Sequence, residues 1–300
     1  MKLGMIGLGR MGANMAERLR RHGHEVVGMD PGVDGAEAHS LEDLLPLLEA
    51  DGQPKVAWSM VPAGDITDKT ICWLRDHLAE GDVVIDGGNS NFQDSLRHGE
   101  ELAAKGIHFI DCGTSGGVWG LENGYALMVG GTDEAVALVQ PLFDALAPEK
   151  GFAHAGPVGA GHYTKMVHNG VEYGLMQAYA EGYAILHACP LGIDVEAAIG
   201  SWQEGSVVQS WLLDLLIEAV ANESDFDRIK PVAVDSGEGR WTVSEAVANG
   251  VAAPVISAAL FARFVSQYRD DDVAMKVVSA LRHQFGGHAI ELDDVEGEQH

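Results

Sequence analysis

Basic residues are scarce in this chain: 19 lysines and arginines stand against 45 aspartates and glutamates, a formal net charge of -26. A surface of that sign repels a polyphosphate backbone or an anionic bilayer, so neither nucleic acid nor a membrane is an expected partner. It also opposes small anions, so an anionic substrate needs a local cluster of arginine, histidine and backbone N–H groups. The acidic excess suits either a salt-rich cytoplasm or an ordinary solvated surface. Cysteine is nearly missing too: Cys72, Cys112 and Cys189 are too few for a disulfide framework, and none forms a Cys-x-x-Cys pair that would suggest zinc. Chemistry without a metal site is expected. Long apolar runs are lacking, since stretches such as Val83-Val84-Ile85 fall far below the roughly 20 residues that cross a bilayer. Met1 leads directly into Lys2-Leu3-Gly4-Met5-Ile6 rather than a secretory leader, so a cytoplasmic location is expected. No internal repeat or low-complexity tract is present.

What the chain does contain is alternation. Short apolar strands are expected at Leu3–Ile6, Glu25–Met29, Val56–Met60, Val83–Asp86, His108–Asp111 and Ala126–Val129. Between them, stretches with apolar residues at three- and four-residue spacing predict helices, an α/β Rossmann-type doubly wound parallel sheet. After the joint Gly156-Pro157-Val158-Gly159-Ala160-Gly161 the strand signals stop and helical periodicity continues to about Arg282. Two domains are therefore expected, a dinucleotide-binding domain over 1–160 and an all-α domain over 161–300 that binds substrate and mediates oligomerisation.

Gly7-Leu8-Gly9-Arg10-Met11-Gly12 follows the first strand and opens a helix. In that context the first glycine permits the turn, the second lets backbone approach a pyrophosphate, and the third allows close helix-strand packing. Asp30 ends the second strand, where a carboxylate accepts from both ribose hydroxyls and repels a 2'-phosphate. NAD is thus expected in preference to NADP. Val61-Pro62-Ala63, after the third strand, is read either as a plain turn or as a cofactor contact at the carboxyl edge of the sheet.

From His162 a long helix is expected on which Lys165, His168, Asn169, Glu172 and Met176 share one face. Lys165 and Glu172 stand about 10.5 Å apart along the axis, far enough to address different atoms of one substrate. Taken alone, the face also reads as a solvated charged stripe.

The surrounding motifs decide between these. Asp86-Gly87-Gly88-Asn89-Ser90, Ser115-Gly116-Gly117-Val118, Glu122-Asn123-Gly124, Lys165-Met166-Val167-His168-Asn169-Gly170-Val171-Glu172-Tyr173 and Phe285-Gly286-Gly287-His288 together resemble the 6-phosphogluconate dehydrogenases, in particular their short NAD-using branch. The resemblance implies oxidation of the C3 hydroxyl of 6-phosphogluconate, loss of C1 as carbon dioxide, and protonation of the enediol to ribulose 5-phosphate. It implies Lys165 as base and later acid at the C3 oxygen, Glu172 as proton donor to the carbon that becomes C1 of ribulose 5-phosphate, and Asn169 with His168 as positioning groups. Asn89, Ser115, Gly116, Gly117 and Tyr173 become sugar-acid contacts, with Asn89 also facing the cofactor. Arg263, Arg282 and His288 become the phosphate cations, the last two reaching into a neighbouring subunit of a dimer or tetramer with a shared active site.

One departure stands out. Where long members carry Lys-Gly-Thr-Gly-Lys-Trp, this chain reads Ser236-Gly237-Glu238-Gly239-Arg240-Trp241, leaving Arg240 as a candidate substitute cation. The related 3-hydroxyacid dehydrogenases, acting on a non-phosphorylated acid, are the alternative enzyme class, separated by carbon dioxide release. A non-catalytic nucleotide-binding module is the alternative outside enzymology.

Overall fold

The computed structural model describes residues 1–300 except 51, 222–225, 227, 270, 288 and 293–300. The chain divides into two compact units, Met1–Met166 and Val167–His300. The division lies inside a helix, a few residues beyond the expected boundary after residue 160.

The first unit is built on a seven-stranded sheet in the order β2-β1-β3-β4-β5-β6-β7. The strands are β1 (Lys2–Ile6), β2 (Glu25–Met29), β3 (Val56–Ser59), β4 (Val83–Asp86), β5 (His108–Ser115), β6 (Ala126–Gly130) and β7 (Phe152–Gly156). Helices α1 (Arg10–Arg21), α2 (Leu41–Leu47), α3 (Asp65–His77), α4 (Phe92–Ala103), α5 (Gly120–Asn123) and α6 (Asp133–Leu146) connect them. Successive residues of a strand face opposite ways, and two cores result. Val26, Val83 and Ile85 join Met15, Leu19, Val139 and Phe143 from α1 and α6 on one face. Val27 and Val84 join Leu44, Ile71, Leu74 and Leu102 from α2, α3 and α4 on the other. The central strands are buried on both faces, which is why they read as continuous apolar runs.

Two features depart from the six parallel strands expected. β6 runs antiparallel to β5, with Cys112 opposite Val129. Only a 3-10 turn, Gly117–Trp119, and the single turn of α5 connect them, too little chain for the crossover that parallel pairing needs. β7, which the expected strands omit, pairs parallel with β6 after the full crossover helix α6. Its sequence Phe-Ala-His-Ala-Gly has no β-branched residue, and its position at the sheet edge leaves it partly exposed, so it gave no strand signal.

Helix α7 (Ala160–His187) begins in the first unit and continues into the second. There it is followed by α8 (Val195–Gly200), α9 (Trp211–Val220), α10 (Glu238–Ala248), α11 (Pro254–Ser266) and α12 (Val273–Gly286). Met176, Ala180 and Tyr183 of α7 form the core of this unit with Leu213, Leu216 and Val220 of α9 and Met275, Val278 and Leu281 of α12. Ser210 and Asp272 cap α9 and α12 by accepting the N–H three residues on, while Pro254 opens α11 where no N–H is needed. Helix α10 starts within the Ser236–Trp241 segment, at Glu238. Its Gly239 is no loop glycine: a Cβ there would collide with the ring of Tyr173.

Candidate active site

In the first unit the carboxyl edge of the sheet collects the cofactor candidates. Gly7 has φ +90, and a Cβ there would press on the Met60 backbone at 3.1 Å. A Cβ on Gly12 would collide with the Gly7 carbonyl oxygen, so α1 lies against the turn as closely as backbone allows. Around Gly9, by contrast, a Cβ would meet nothing within 4 Å, and no side chain caps α1. Open space in front of an uncapped helix N-terminus suits a pyrophosphate. Leu8 and Met11 pack against the core, while Arg10 is exposed at the first turn of α1. Asp30 is held rigidly, its Oδ2 accepting the Leu8 N–H at 2.8 Å and its Oδ1 the Gly32 N–H at 2.9 Å. The Val61-Pro62-Ala63 turn is fastened by Thr67, whose hydroxyl donates to the Pro62 carbonyl at 2.9 Å.

Asp86, wholly buried at the end of β4, shapes the next loop by accepting the Gly88 N–H at 3.0 Å and the Ser90 hydroxyl at 2.7 Å. Between them Asn89 takes φ 54, the one non-glycine positive φ among the described residues. Its Oδ1 accepts the Thr114 N–H at 3.2 Å, so the amide presents its NH2 as a donor away from β5. Ser115 ends β5, and Gly116 and Gly117 follow with φ 136 and 55, conformations that L side chains rarely adopt. Lys165, only 5% exposed, lies with its stem against Gly113 of β5.

In the second unit, α7 carries His168, Asn169, Glu172 and Tyr173. His168 Nδ1 lies 3.1 Å from Asn169 Oδ1 and 3.8 Å from Glu172 Oε2, one turn along. Tyr173 is buried, and its hydroxyl donates to Asp235 at 3.2 Å. Arg263 of α11 is 3% exposed and lies flat over the Tyr173 ring, 3.3 Å from its centroid. Burial pulls its pKa down to about 10, opposed by Tyr173 and assisted by the like charge of Arg282. Arg282 of α12 is lowered for the same reason, burial first, with Tyr173, Glu238 and Glu172 acting the other way. Among the described residues neither arginine makes an ion pair. A buried and a half-buried guanidinium group, neither in an ion pair among the described residues, suit an anion.

The resemblance placed Arg282 and His288 in a neighbouring subunit's site. Arg282 stands within electrostatic reach of its own chain's Tyr173, Glu172 and Asp235, and His288 lies outside the described residues. Arg240 is not a spare cation: it donates to Asp235 Oδ2 at 3.0 Å and lies over Phe264 at 5.1 Å. Ser236 and Glu238 are likewise joined, hydroxyl to carboxylate, at 2.6 Å. Asp235, which organises this loop, was not singled out by sequence reasoning; a lone aspartate before Ser-Gly carries no distinguishing spacing. No cluster of His, Cys, Asp and Glu that could hold a metal occurs among the described residues, and no described helix is long and apolar enough to cross a membrane.

Residues 2–156 match the family described as the NAD binding domain of 6-phosphogluconate dehydrogenase, and residues 161–287 match the family described as the 6-phosphogluconate dehydrogenase C-terminal domain. The YqeC protein of Bacillus subtilis is 42% identical over 297 residues, covering 97% of this chain and 99% of its own. A Haloferax volcanii protein named as an NAD(+)-dependent, decarboxylating 6-phosphogluconate dehydrogenase is also 42% identical, over 98% of this chain and 100% of its own. Among solved structures, Plasmodium falciparum 6-phosphogluconate dehydrogenase, described with cofactor NADP+ and with 6-phosphogluconate, superposes with a TM-score of 0.78 at 25% identity, over 94% of this chain and 70% of that one. With matches over both units and relatives similar along almost their whole length, the chain belongs to the 6-phosphogluconate dehydrogenase family.

Proposed function

We propose that this chain oxidises and decarboxylates 6-phosphogluconate to ribulose 5-phosphate and carbon dioxide, with NAD as the acceptor. The observation that carries this reading is the pair Arg263 and Arg282: one buried and one half-buried cation in a chain of net charge -26, on the unit that also holds Glu172, without an ion-pair partner among the described residues. A phosphate ester supplies the charge they lack.

NAD, held at Gly7, Leu8, Gly9, Arg10, Met11, Gly12, Asp30 and the Val61-Pro62-Ala63 turn, supplies the hydride acceptor. The Asp30 carboxylate, already fixed by two backbone N–H groups, supports ribose recognition and opposes a 2'-phosphate.

Lys165 accepts the C3 hydroxyl proton. Burial is the condition under which a lysine amine serves as a base near neutral pH. As an ammonium it then donates to the new C3 carbonyl oxygen, drawing electrons from the C2–C1 bond as carbon dioxide leaves. Glu172, two helical turns further along α7, gives its proton to the enediol carbon that was C2 of the substrate and becomes C1 of ribulose 5-phosphate. Asn169 and His168 hold Glu172's end of the substrate, and Asn89, with its NH2 as donor, hydrogen-bonds a substrate oxygen and the cofactor amide. Ser115, Gly116 and Gly117 offer a hydroxyl and unhindered N–H groups to the sugar acid, and Tyr173 supports Arg263 at the phosphate. The exposed apolar faces of the helical unit, such as Val255, Phe261 and Val265 of α11, support self-association as a dimer or tetramer. A nicotinamide enzyme with three free cysteines suits the cytoplasm.

The test is reduction of NAD and of NADP with 6-phosphogluconate and with gluconate, measuring carbon dioxide. Release of one carbon dioxide per NADH with the phosphorylated acid supports the reading. Reduction without carbon dioxide, or equal efficiency with gluconate, refutes it.

A further inference from the structure

Side chains repeat every second residue along a strand, so Asp111, Gly113 and Ser115 share one face of β5. Asp111 is a carboxylate with no solvent exposure. Its Oδ1 accepts the Gly159 N–H at 2.7 Å and its Oδ2 accepts the His162 N–H at 2.7 Å. Gly159 immediately precedes α7, and His162 is the third residue of that helix. These are the two N–H groups that a capping box satisfies with local side chains. Here Pro157-Val158-Gly159-Ala160 contains no capping side chain, and the acceptor arrives from a strand 48 and 51 residues away in sequence.

Glycines make the seat beneath that cap. A Cβ on Gly161 would collide with the Asp111 carbonyl oxygen and lie 2.6 Å from that of Met128, and one on Gly130 would collide with the Asp111 carboxylate. A Cβ on Gly113 would collide with Cβ of Lys165. The first turns of α7 therefore rest on bare backbone of β5 and β6, and the Lys165 stem rests directly on Gly113. Moving along one face of β5, about 6.6 Å per two residues, the chain passes from the cap to the seat of Lys165 to Ser115. An ordinary N-cap stabilises a helix by about 1 kcal/mol without tying it to a sheet. This one determines where along β5 Lys165 is held.

We propose that Asp111 is a positioning residue for Lys165: its two-point cap sets the height and rotation of α7 on β5, with Gly113 completing the seat. The inference rests on the reading of Lys165 as the base.

Asp111→Asn replaces one acceptor oxygen with an NH2 that opposes an N–H donor. Gly113→Ala leaves the cap intact and displaces the Lys165 stem directly. Each full-length variant is compared with wild type and Lys165→Ala for folded fraction, NAD affinity, kcat, KM and the primary isotope effect with 6-phosphogluconate deuterated at C3. Both variants should bind NAD within about threefold of wild type and lose about 100-fold in kcat, the order expected for a displacement near 1 Å. KM should change less than about fivefold, and the isotope effect should rise as C3–H cleavage becomes rate-limiting. A kcat loss that merely tracks folded fraction, with an unchanged isotope effect, marks a structural role and overturns the proposal. If both variants turn over within about threefold of wild type while Lys165→Ala is inactive, the positioning role falls and the base assignment stands. Near-normal turnover by Lys165→Ala overturns both. Should Asp111→Asn fail to fold, Gly113→Ala decides.

Discussion

Replacing Arg263 with methionine should make the protein more stable and nearly unable to bind its substrate. The guanidinium is 3% exposed, and burial pulls its pKa from 12.5 down to about 10. At about 1.4 kcal/mol per pKa unit, keeping that charge inside the fold costs on the order of 3 kcal/mol at neutral pH. Its stacking on Tyr173 returns about 1–2 kcal/mol, so Arg263→Met, of similar length and apolar, should gain about 1–2 kcal/mol net. For a chain of this size that is a rise of a few degrees in Tm. The sign of the pH dependence follows from the lowered pKa. The penalty is fully present below about 10 and is relieved only above it, so the gain should be flat from about pH 6 to 9. Substrate behaves oppositely. Losing a charge-assisted phosphate contact should raise KM for 6-phosphogluconate by about 100-fold or more. Ligand at 100 times Kd, which adds about 2.7 kcal/mol to wild type, should leave the variant's Tm nearly unmoved at that concentration. Differential scanning calorimetry with and without 6-phosphogluconate reads both effects. A fall in Tm with unchanged substrate affinity would refute the reasoning, since Arg263 would then be a structural cation.

Other outcomes follow from the same geometry. Lys165→Ala should lower kcat by about 1,000-fold while leaving NAD affinity within about threefold, measured by steady-state kinetics and cofactor fluorescence. Glu172→Gln should retain NADH formation better than ribulose 5-phosphate formation, so parallel assays of the two products should diverge; equal losses would remove its role at C1 of ribulose 5-phosphate. Asp30→Ala should lower catalytic efficiency with NAD by about 10–100-fold and shift the ratio toward NADP, as expected for loss of hydrogen bonds to a charged group. Asp68 is held below the ordinary carboxylate range, first by the hydrogen bond from the buried His98 and then by that from Arg97. A lowered carboxylate stabilises above its unfolded pKa and loses that contribution as pH falls through the folded one. Asp68→Asn should therefore melt below wild type at pH 7, and the gap should close as acid is added below about pH 4.

The legible parts of this molecule are those whose cause is local. The glycine motif is readable because its spacing follows from a strand turning into a helix, Gly12 lying against Gly7 being the local contact that requires it. The polar face of α7 is readable because helical spacing alone brings Lys165, Asn169 and Glu172 to one side. Asp111 was not readable, because its partners at Gly159 and His162 arrive through the fold rather than through any spacing. The flat stack of Arg263 on Tyr173 depends on the packing of α11 against α7 and leaves no trace in either segment. The reversal of β6 was encoded only in the shortness of the β5–β6 connection, which strand alternation by itself does not weigh. Arg240 shows the converse error: a cation at a suggestive position, neutralised by an aspartate five residues earlier.

The single helix α7 gives this protein an unforgiving reading frame. Lys165 and Glu172 lie within one uninterrupted 28-residue helix, and seven residues come within about 20° of two full turns, so both side chains leave the axis on the same bearing. Inserting or deleting one residue between them would swing Glu172 by about 100° relative to Lys165 and carry the two onto different sides of the helix. Loops elsewhere tolerate changes of length, but here even an indel of four residues leaves the bearing about 40° off and alters the axial interval by about 6 Å. The interval between these two side chains along the axis is thereby set by the pitch of a helix rather than by the choice of side chains.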